Sequence, residues 1–125
     1  MQPPKAKDLV GLWRLLSVEI QIMPGKIEYP FGQKPRGTII YLVDGKMAVH
    51  ITGSDVATDR LRAYAGGWSI EGDRVVHTVE VSLEPDLRGV RLERKGELDG
   101  DRLIYRTIEA QGPGYPIVVW ERVQC

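Results

Sequence analysis

The feature that most restricts the fold of this chain is its punctuation. Short runs rich in Val, Ile, Tyr and Trp are cut by Gly, Asp and Pro at hairpin intervals, and nothing between them is long enough to be a crossover helix. Strands are predicted over 12–22, 38–43, 46–52, 63–70, 74–83, 90–98, 102–109 and 117–123. Neighbours in sequence then pair antiparallel, up and down. Eight such strands can close into a barrel, which removes its own edges and leaves room for side chains plus one small ligand. The expected class is all-β: an eight-stranded up-and-down antiparallel β-barrel occupying residues 1–125 as one domain.

The connections carry their own signals. Asp44-Gly45 favours the tight turn of a two-residue hairpin. The proline- and glycine-rich stretch 24–37 reads as a rim loop that interrupts pairing. Residues 53–62 lack period-two alternation and suit a short helix or irregular loop, a candidate lid over a barrel mouth. A helical turn over 6–10 leads into the first strand.

Composition narrows the function. Seventeen basic residues balance seventeen acidic ones, and the basic residues from Arg88 to Arg106 are interleaved with Asp86, Glu93, Glu97, Asp99 and Asp101. No net field draws nucleic acid or an anionic membrane, so neither is expected as a partner. The N-terminal residues lack an apolar stretch, so neither a signal peptide nor a membrane span is expected. Cys125 is the only cysteine, which excludes an intrachain disulfide and favours the cytoplasm. It stands at a chain end that either frays or, on oxidation, links a homodimer.

Two histidines cannot make a three-histidine metal site, and neither a G-x-S-x-G elbow nor a Gly-rich phosphate loop is present. No metal or cofactor is expected, and hydrolase and nucleotide-enzyme chemistry fall away.

Gly11-Leu12-Trp13 at the start of the first strand resembles the G-x-W signature of the calycin superfamily, with Arg122 in the place of its partner arginine. Tyr29-Pro30-Phe31-Gly32, Pro35-Arg36-Gly37, Ile40-Tyr41, Asp44-Gly45-Lys46-Met47, Ala63-Tyr64-Ala65-Gly66, His77, Asp99-Gly100-Asp101-Arg102-Leu103 and Val119-Trp120-Glu121-Arg122 together resemble the lipocalin-like domain family. The resemblance implies a barrel whose floor is closed by Trp13 with Arg122 packed across it. It also implies a small-molecule pocket, and some lipocalin-like proteins of natural-product pathways resemble cyclases or isomerases. One departure is Leu92 ahead of Arg94, where the family is expected to favour an aromatic or polar residue.

Alternation then assigns the interior. Trp13 inward places Leu15, Ser17 and Glu19 inside, whereas apolar Leu16, Val18 and Ile20 favour the other face; only a bulge reconciles the two. Without one, Glu19 is a buried carboxylate in need of a partner. Met47, Val49 and Ile51 share a face that leaves His50 outside. Tyr64, Gly66, Trp68 and Ile70 point in, as do Val75, His77, Val79 and Val81. The last three strands contribute Leu92 and Arg94, then Leu103, Tyr105 and Thr107, then Val118, Trp120 and Arg122.

The expected pocket is aromatic, with Tyr41, Met47, Tyr64, Trp68 and Trp120 as ligand contacts and Glu80 beside them. Aromatics also fill cores, and that alternative stands for each one singly. His77, Arg94, Glu19 and Tyr105 are the candidate acid–base and anion-binding groups. An unperturbed imidazole titrates near 6.5, which suits proton transfer at neutral pH. An inward Arg94 must pair with Glu19 or Glu80 or else bind a ligand carboxylate or enolate. The expected function is binding of a small, largely apolar aromatic or polycyclic metabolite, with cofactor-free isomerisation or cyclisation as the catalytic version. A non-catalytic carrier or a structural, protein-binding barrel is the alternative.

Overall fold

The computed structural model describes residues 2–23, 25–53, 61–106 and 115–123. A short helix, α1 (Ala6–Leu9), is followed by nine strands: β1 (Gly11–Met23), β2 (Lys26–Glu28), β3 (Arg36–Tyr41), β4 (Lys46–Thr52), β5 (Leu61–Glu71), β6 (Arg74–Ser82), β7 (Arg91–Asp99), β8 (Arg102–Arg106) and β9 (Tyr115–Arg122). From β3 onward each strand pairs with the next. β1 pairs with both β3 and β9, so the sheet closes into an eight-stranded antiparallel barrel. Closure leaves none of these eight strands as an open edge. Among the described residues no helix is long and apolar enough to cross a membrane.

The ninth strand was not expected. Lys26–Glu28, inside the stretch read as an unpaired rim loop, folds back on the distal end of β1, with Ile20 opposite Glu28. Its three residues are all exposed, so pairing to β1 alone defines it. Leu61 and Arg62, read as loop, extend β5 opposite Thr52 and Ile51. The candidate lid at 54–60, Thr107 and Cys125 lie outside the described residues.

The Asp44-Gly45 turn is a three-residue loop, not a two-residue one. Leu42 N–H donates to the Lys46 carbonyl, and Gly45 N–H donates to the Leu42 carbonyl. A type I′ turn needs two positive-φ residues, but only Gly45 has one (φ 91°), as no non-glycine residue does. A type I turn closed by a left-handed glycine is the form that results.

Two bulges set the faces. In β1, Leu15 pairs with Trp120 and Ser17 with Val119, so Leu16 is the extra residue. Trp13 and Leu15 point in before it, Val18 after it, and all three are buried. The conflict in the sequence pattern is thereby resolved, and Glu19 turns outward opposite Ile117. In β6, Ala65 pairs with Val81 and Gly66 with Val79, leaving Glu80 as the extra residue. Val81, expected inside, is therefore carried to the outer face, where it is 62% exposed.

Trp13, Trp120, Tyr41, Leu9, Ile39 and Leu103 are among the fully buried side chains of one core cluster. At its floor the Arg122 guanidinium packs over Trp13, as expected, and the Trp13 indole N–H donates to the Leu9 carbonyl at 2.9 Å.

Candidate functional site

Seven strands contribute to a small cavity of about 60 Å³ inside the barrel. Its apolar wall is Ile39 from β3, Val49 and Ile51 from β4, Leu92 from β7, and Val118 from β9. Its polar and aromatic wall is Arg62 and Tyr64 from β5, His77 from β6, Arg94 from β7, Tyr105 from β8 and Trp120 from β9. Each is held by strand alternation: His77 sits between buried Val75 and Val79 on the inward face of β6.

Three of these groups, Tyr64, His77 and Tyr105, form one hydrogen-bonded chain with Tyr41, which does not line the cavity. Tyr105 and Tyr41 hydroxyls are 2.6 Å apart, the Tyr41 hydroxyl is 2.5 Å from His77 Nε2, and the Tyr64 hydroxyl is 2.7 Å from His77 Nδ1. The rings pack around the imidazole, with Tyr41 and Tyr64 tilted and Tyr105 edge-on at 6.2 Å. Both imidazole nitrogens are engaged, so a neutral ring donates through one and accepts through the other.

Burial, then the Arg94 charge, pulls the His77 pKa down to about 3. The ring is neutral at physiological pH. This corrects the expectation of an imidazole titrating near neutrality: desolvation outweighs hydroxyl neighbours that carry no charge. Burial pushes the Tyr64 hydroxyl up to about 12, with Arg94 and Arg62 opposing it. Tyr41 and Tyr105 are raised well above the usual range, again first by burial. The whole chain is neutral over a wide range of pH.

Two donors on the cavity wall are only partly matched, or unmatched, among the described residues. Among the described residues Arg94 forms no ion pair, and its guanidinium donates to the Glu93 carbonyl at 3.1 Å. The Trp120 indole N–H is buried with no acceptor among the described residues. Arg62, by contrast, is held by Glu84 at 2.8 Å.

Of the expected site residues, His77, Arg94, Tyr105, Tyr64 and Trp120 meet at the cavity, and Tyr41 joins them through the hydrogen-bonded chain. Met47 is buried opposite Tyr41 and Gly66 but does not line the cavity. Trp68 packs on Tyr41 at 5.0 Å and donates to the Leu42 carbonyl, also away from the cavity. Glu19 and Glu80 are on the outer wall; Glu80 lies 3.3 Å from Lys46 Nζ. Neither carboxylate is therefore a partner for Arg94: the bulge at Leu16 turns Glu19 out, and Glu80 follows inward Val79 on the outer face. Arg62 was missed because it was read as loop, although it shares the parity of Tyr64. A wider depression of about 310 Å³ lies on the outer wall, lined by Ala48, His50, Ala63, Ala65 and Val81 among others. It meets the inner network only at Tyr64. Among the described residues no three His, Cys, Asp or Glu side chains group as a metal site requires.

The chain matches the model of the lipocalin-like domain over residues 10–60 and 54–123. No curated protein matches it. Among solved structures it is similar to an uncharacterized protein from Bacteroides eggerthii, at 15% identity and a TM-score of 0.56, over 93% of this chain and 100% of that one. At that identity the likeness concerns the fold alone. The closed barrel, the Trp13–Arg122 floor and a family match spanning nearly all of the sequence place this chain in the lipocalin-like domain family.

Proposed function

We propose that the barrel binds a small, largely apolar molecule carrying one carbonyl or carboxylate group, and that it acts on it by acid–base chemistry without a cofactor. The observation that carries this reading is the cavity lining, which brings together the half-buried Arg94 guanidinium, without an ion-pair partner among the described residues, the buried Trp120 indole N–H, without an acceptor among them, and Tyr64. A buried donor left without an acceptor costs free energy, and a ligand oxygen that accepted from Trp120 and paired with Arg94 would remove that cost. Apolar Val49, Ile51, Leu92 and Val118 supply the rest of the surface.

Size selects among ligands. A cavity of about 60 Å³ is far below the range of roughly 300–1,000 Å³ common for drug-sized sites. A short chain of a few heavy atoms with a polar head suits it; an aromatic ring, for which benzene takes a cavity of about 150 Å³, and still more a fused polycyclic skeleton do not.

The test is a titration with propionate, followed by NMR shifts of cavity residues, alongside Arg94→Met. Binding should perturb Tyr64, His77 and Trp120, and Arg94→Met should weaken it roughly 10- to 100-fold, the worth of a hydrogen bond to a charged group. Absence of any shift at those residues with propionate and with its neutral aldehyde analogue sinks the proposal.

A further inference from the structure

Tyr64, His77, Tyr41 and Tyr105 are joined end to end by three hydrogen bonds of 2.7, 2.5 and 2.6 Å. Tyr64 and Tyr105, the two termini, both line the cavity, whereas Tyr41, the middle hydroxyl, does not. A linear chain whose two ends open on the same space can take up a proton at one end and release another at the other end. From this geometry we infer that the four residues form a closed-circuit proton relay that tautomerises a small enolisable carbonyl compound, an α-keto carboxylate for example. The inference rests on the binding reading above, since Arg94 would hold the carboxylate.

The step balances within the chain. Tyr105 O–H initially donates to Tyr41, Tyr41 O–H to His77 Nε2, and His77 Nδ1–H to Tyr64, which leaves the Tyr64 proton directed at the substrate carbonyl. Tyr64 gives that proton to the carbonyl oxygen and takes one from Nδ1. Nε2 takes the Tyr41 proton, Tyr41 takes that of Tyr105, and Tyr105 takes the proton from the substrate carbon beside the carbonyl. The electron pair of the broken C–H bond becomes the C=C bond of the enol, and the carbonyl π pair forms the new O–H bond. One proton leaves the substrate and one arrives; no protein group ends charged. The chain is left with its polarity reversed, and a water molecule passing a proton from Tyr105 to Tyr64 across the emptied cavity restores it.

This arrangement uses a neutral imidazole, which both donates and accepts, rather than an imidazolium. It is therefore compatible with the depressed basicity of His77. An apolar site that resists charge separation favours such a concerted neutral transfer over a stepwise one through an ion.

The experiment measures exchange of the methyl hydrogens of pyruvate with solvent by NMR, for the whole chain and for Tyr41→Phe. Pyruvate should bind both proteins. Turnover should fall roughly 10²- to 10⁴-fold in Tyr41→Phe, the usual contribution of a positioned proton-transfer group, with little change in Kd. Wild-type catalysis should slow in D₂O with a curved dependence on deuterium fraction, since several protons move together. Binding without acceleration by the wild type, or full-rate turnover by Tyr41→Phe, overturns the relay and leaves the binding reading intact. Failure of pyruvate and propionate to bind overturns both. Should Tyr41→Phe not fold, ¹⁵N shifts of His77 in the wild type decide: oxamate, which has no carbon-bound hydrogen to give up, should change the balance of the two ring tautomers, and a tautomer unmoved by bound oxamate refutes the relay.

Discussion

The Arg122 guanidinium lies 4.3 Å above the Trp13 ring centroid and donates to the backbone carbonyls of Val10 and Asp8. One side chain thus links the last strand, the first strand and the turn that precedes it. Arg122→Ala should destabilise the protein by about 2–4 kcal/mol, combining a cation over a buried ring with two carbonyls deprived of a donor. Arg122→Lys should restore less than about half of this, because a single ammonium lacks the planar fork that reaches ring and carbonyls together. Urea midpoints of the three proteins at equal slope test the prediction.

Stability should fall on both sides of neutrality. His77 is neutral in the folded barrel down to about pH 3, whereas in the unfolded chain it takes a proton below about 6.5. The unfolded state then binds more protons, so stability decreases as pH drops through that window, by up to tenfold in the unfolding constant per pH unit. Tyr64 keeps its proton in the fold up to about pH 12 but loses it near 10 when unfolded, so stability also decreases as pH rises between those values. Tyr41 and Tyr105 act in the same direction. Unfolding measured at intervals from pH 4 to 11 should flatten at the acid end in His77→Phe.

Gly66 and Gly67 are adjacent on β5, yet only one tolerates a methyl group. A Cβ at Gly66 would overlap the Thr78 carbonyl oxygen and come within 2.9 Å of Glu80 N, both backbone atoms of the neighbouring strand at its bulge. A Cβ at Gly67 meets nothing closer than Gly45 O at 3.5 Å. Gly66→Ala should therefore cost at least about 1–3 kcal/mol, and Gly67→Ala less than about 0.5 kcal/mol. Thermal melts of the pair check this, and equal melting temperatures would refute it.

Trp120→Phe removes a donor that has no acceptor among the described residues. Its cost in the free protein should be limited to lost packing, about 1–2 kcal/mol. Its effect on propionate affinity should be a further loss of roughly 2- to 10-fold, the range for one neutral hydrogen bond. Calorimetry on free and ligand-saturated protein separates the two.

The barrel was legible because its evidence is repeated: every strand carries its own apolar alternation, and an error at one leaves the others standing. The Trp13–Arg122 pair was legible only through the resemblance of Gly11-Leu12-Trp13 and Arg122 to the calycin signature. The inward set held for His77, Arg94, Tyr105 and Trp120, each on a strand stretch free of irregularity. It failed at Val81, where one inserted residue exchanges the two faces without leaving any mark in composition. Nor could alternation find the link from Tyr105 through Tyr41 to His77, since it joins β8, β3 and β6, which are not neighbours in the sheet. The depressed basicity of His77 depends on the same packing and was hidden for the same reason.

The insertion at Leu16 makes the length of β1 an inherited character in its own right. In a relative that lacks this residue, the inward position after Leu15 falls four residues beyond the tryptophan instead of five, so from there on its inward positions are all offset by one from those of this chain. Matching such a relative to this chain letter by letter would superimpose its cavity wall on Glu19 and Gln21, its solvent face on Val18 and Ile20. Comparison across the family should therefore be anchored separately on either side of Leu16.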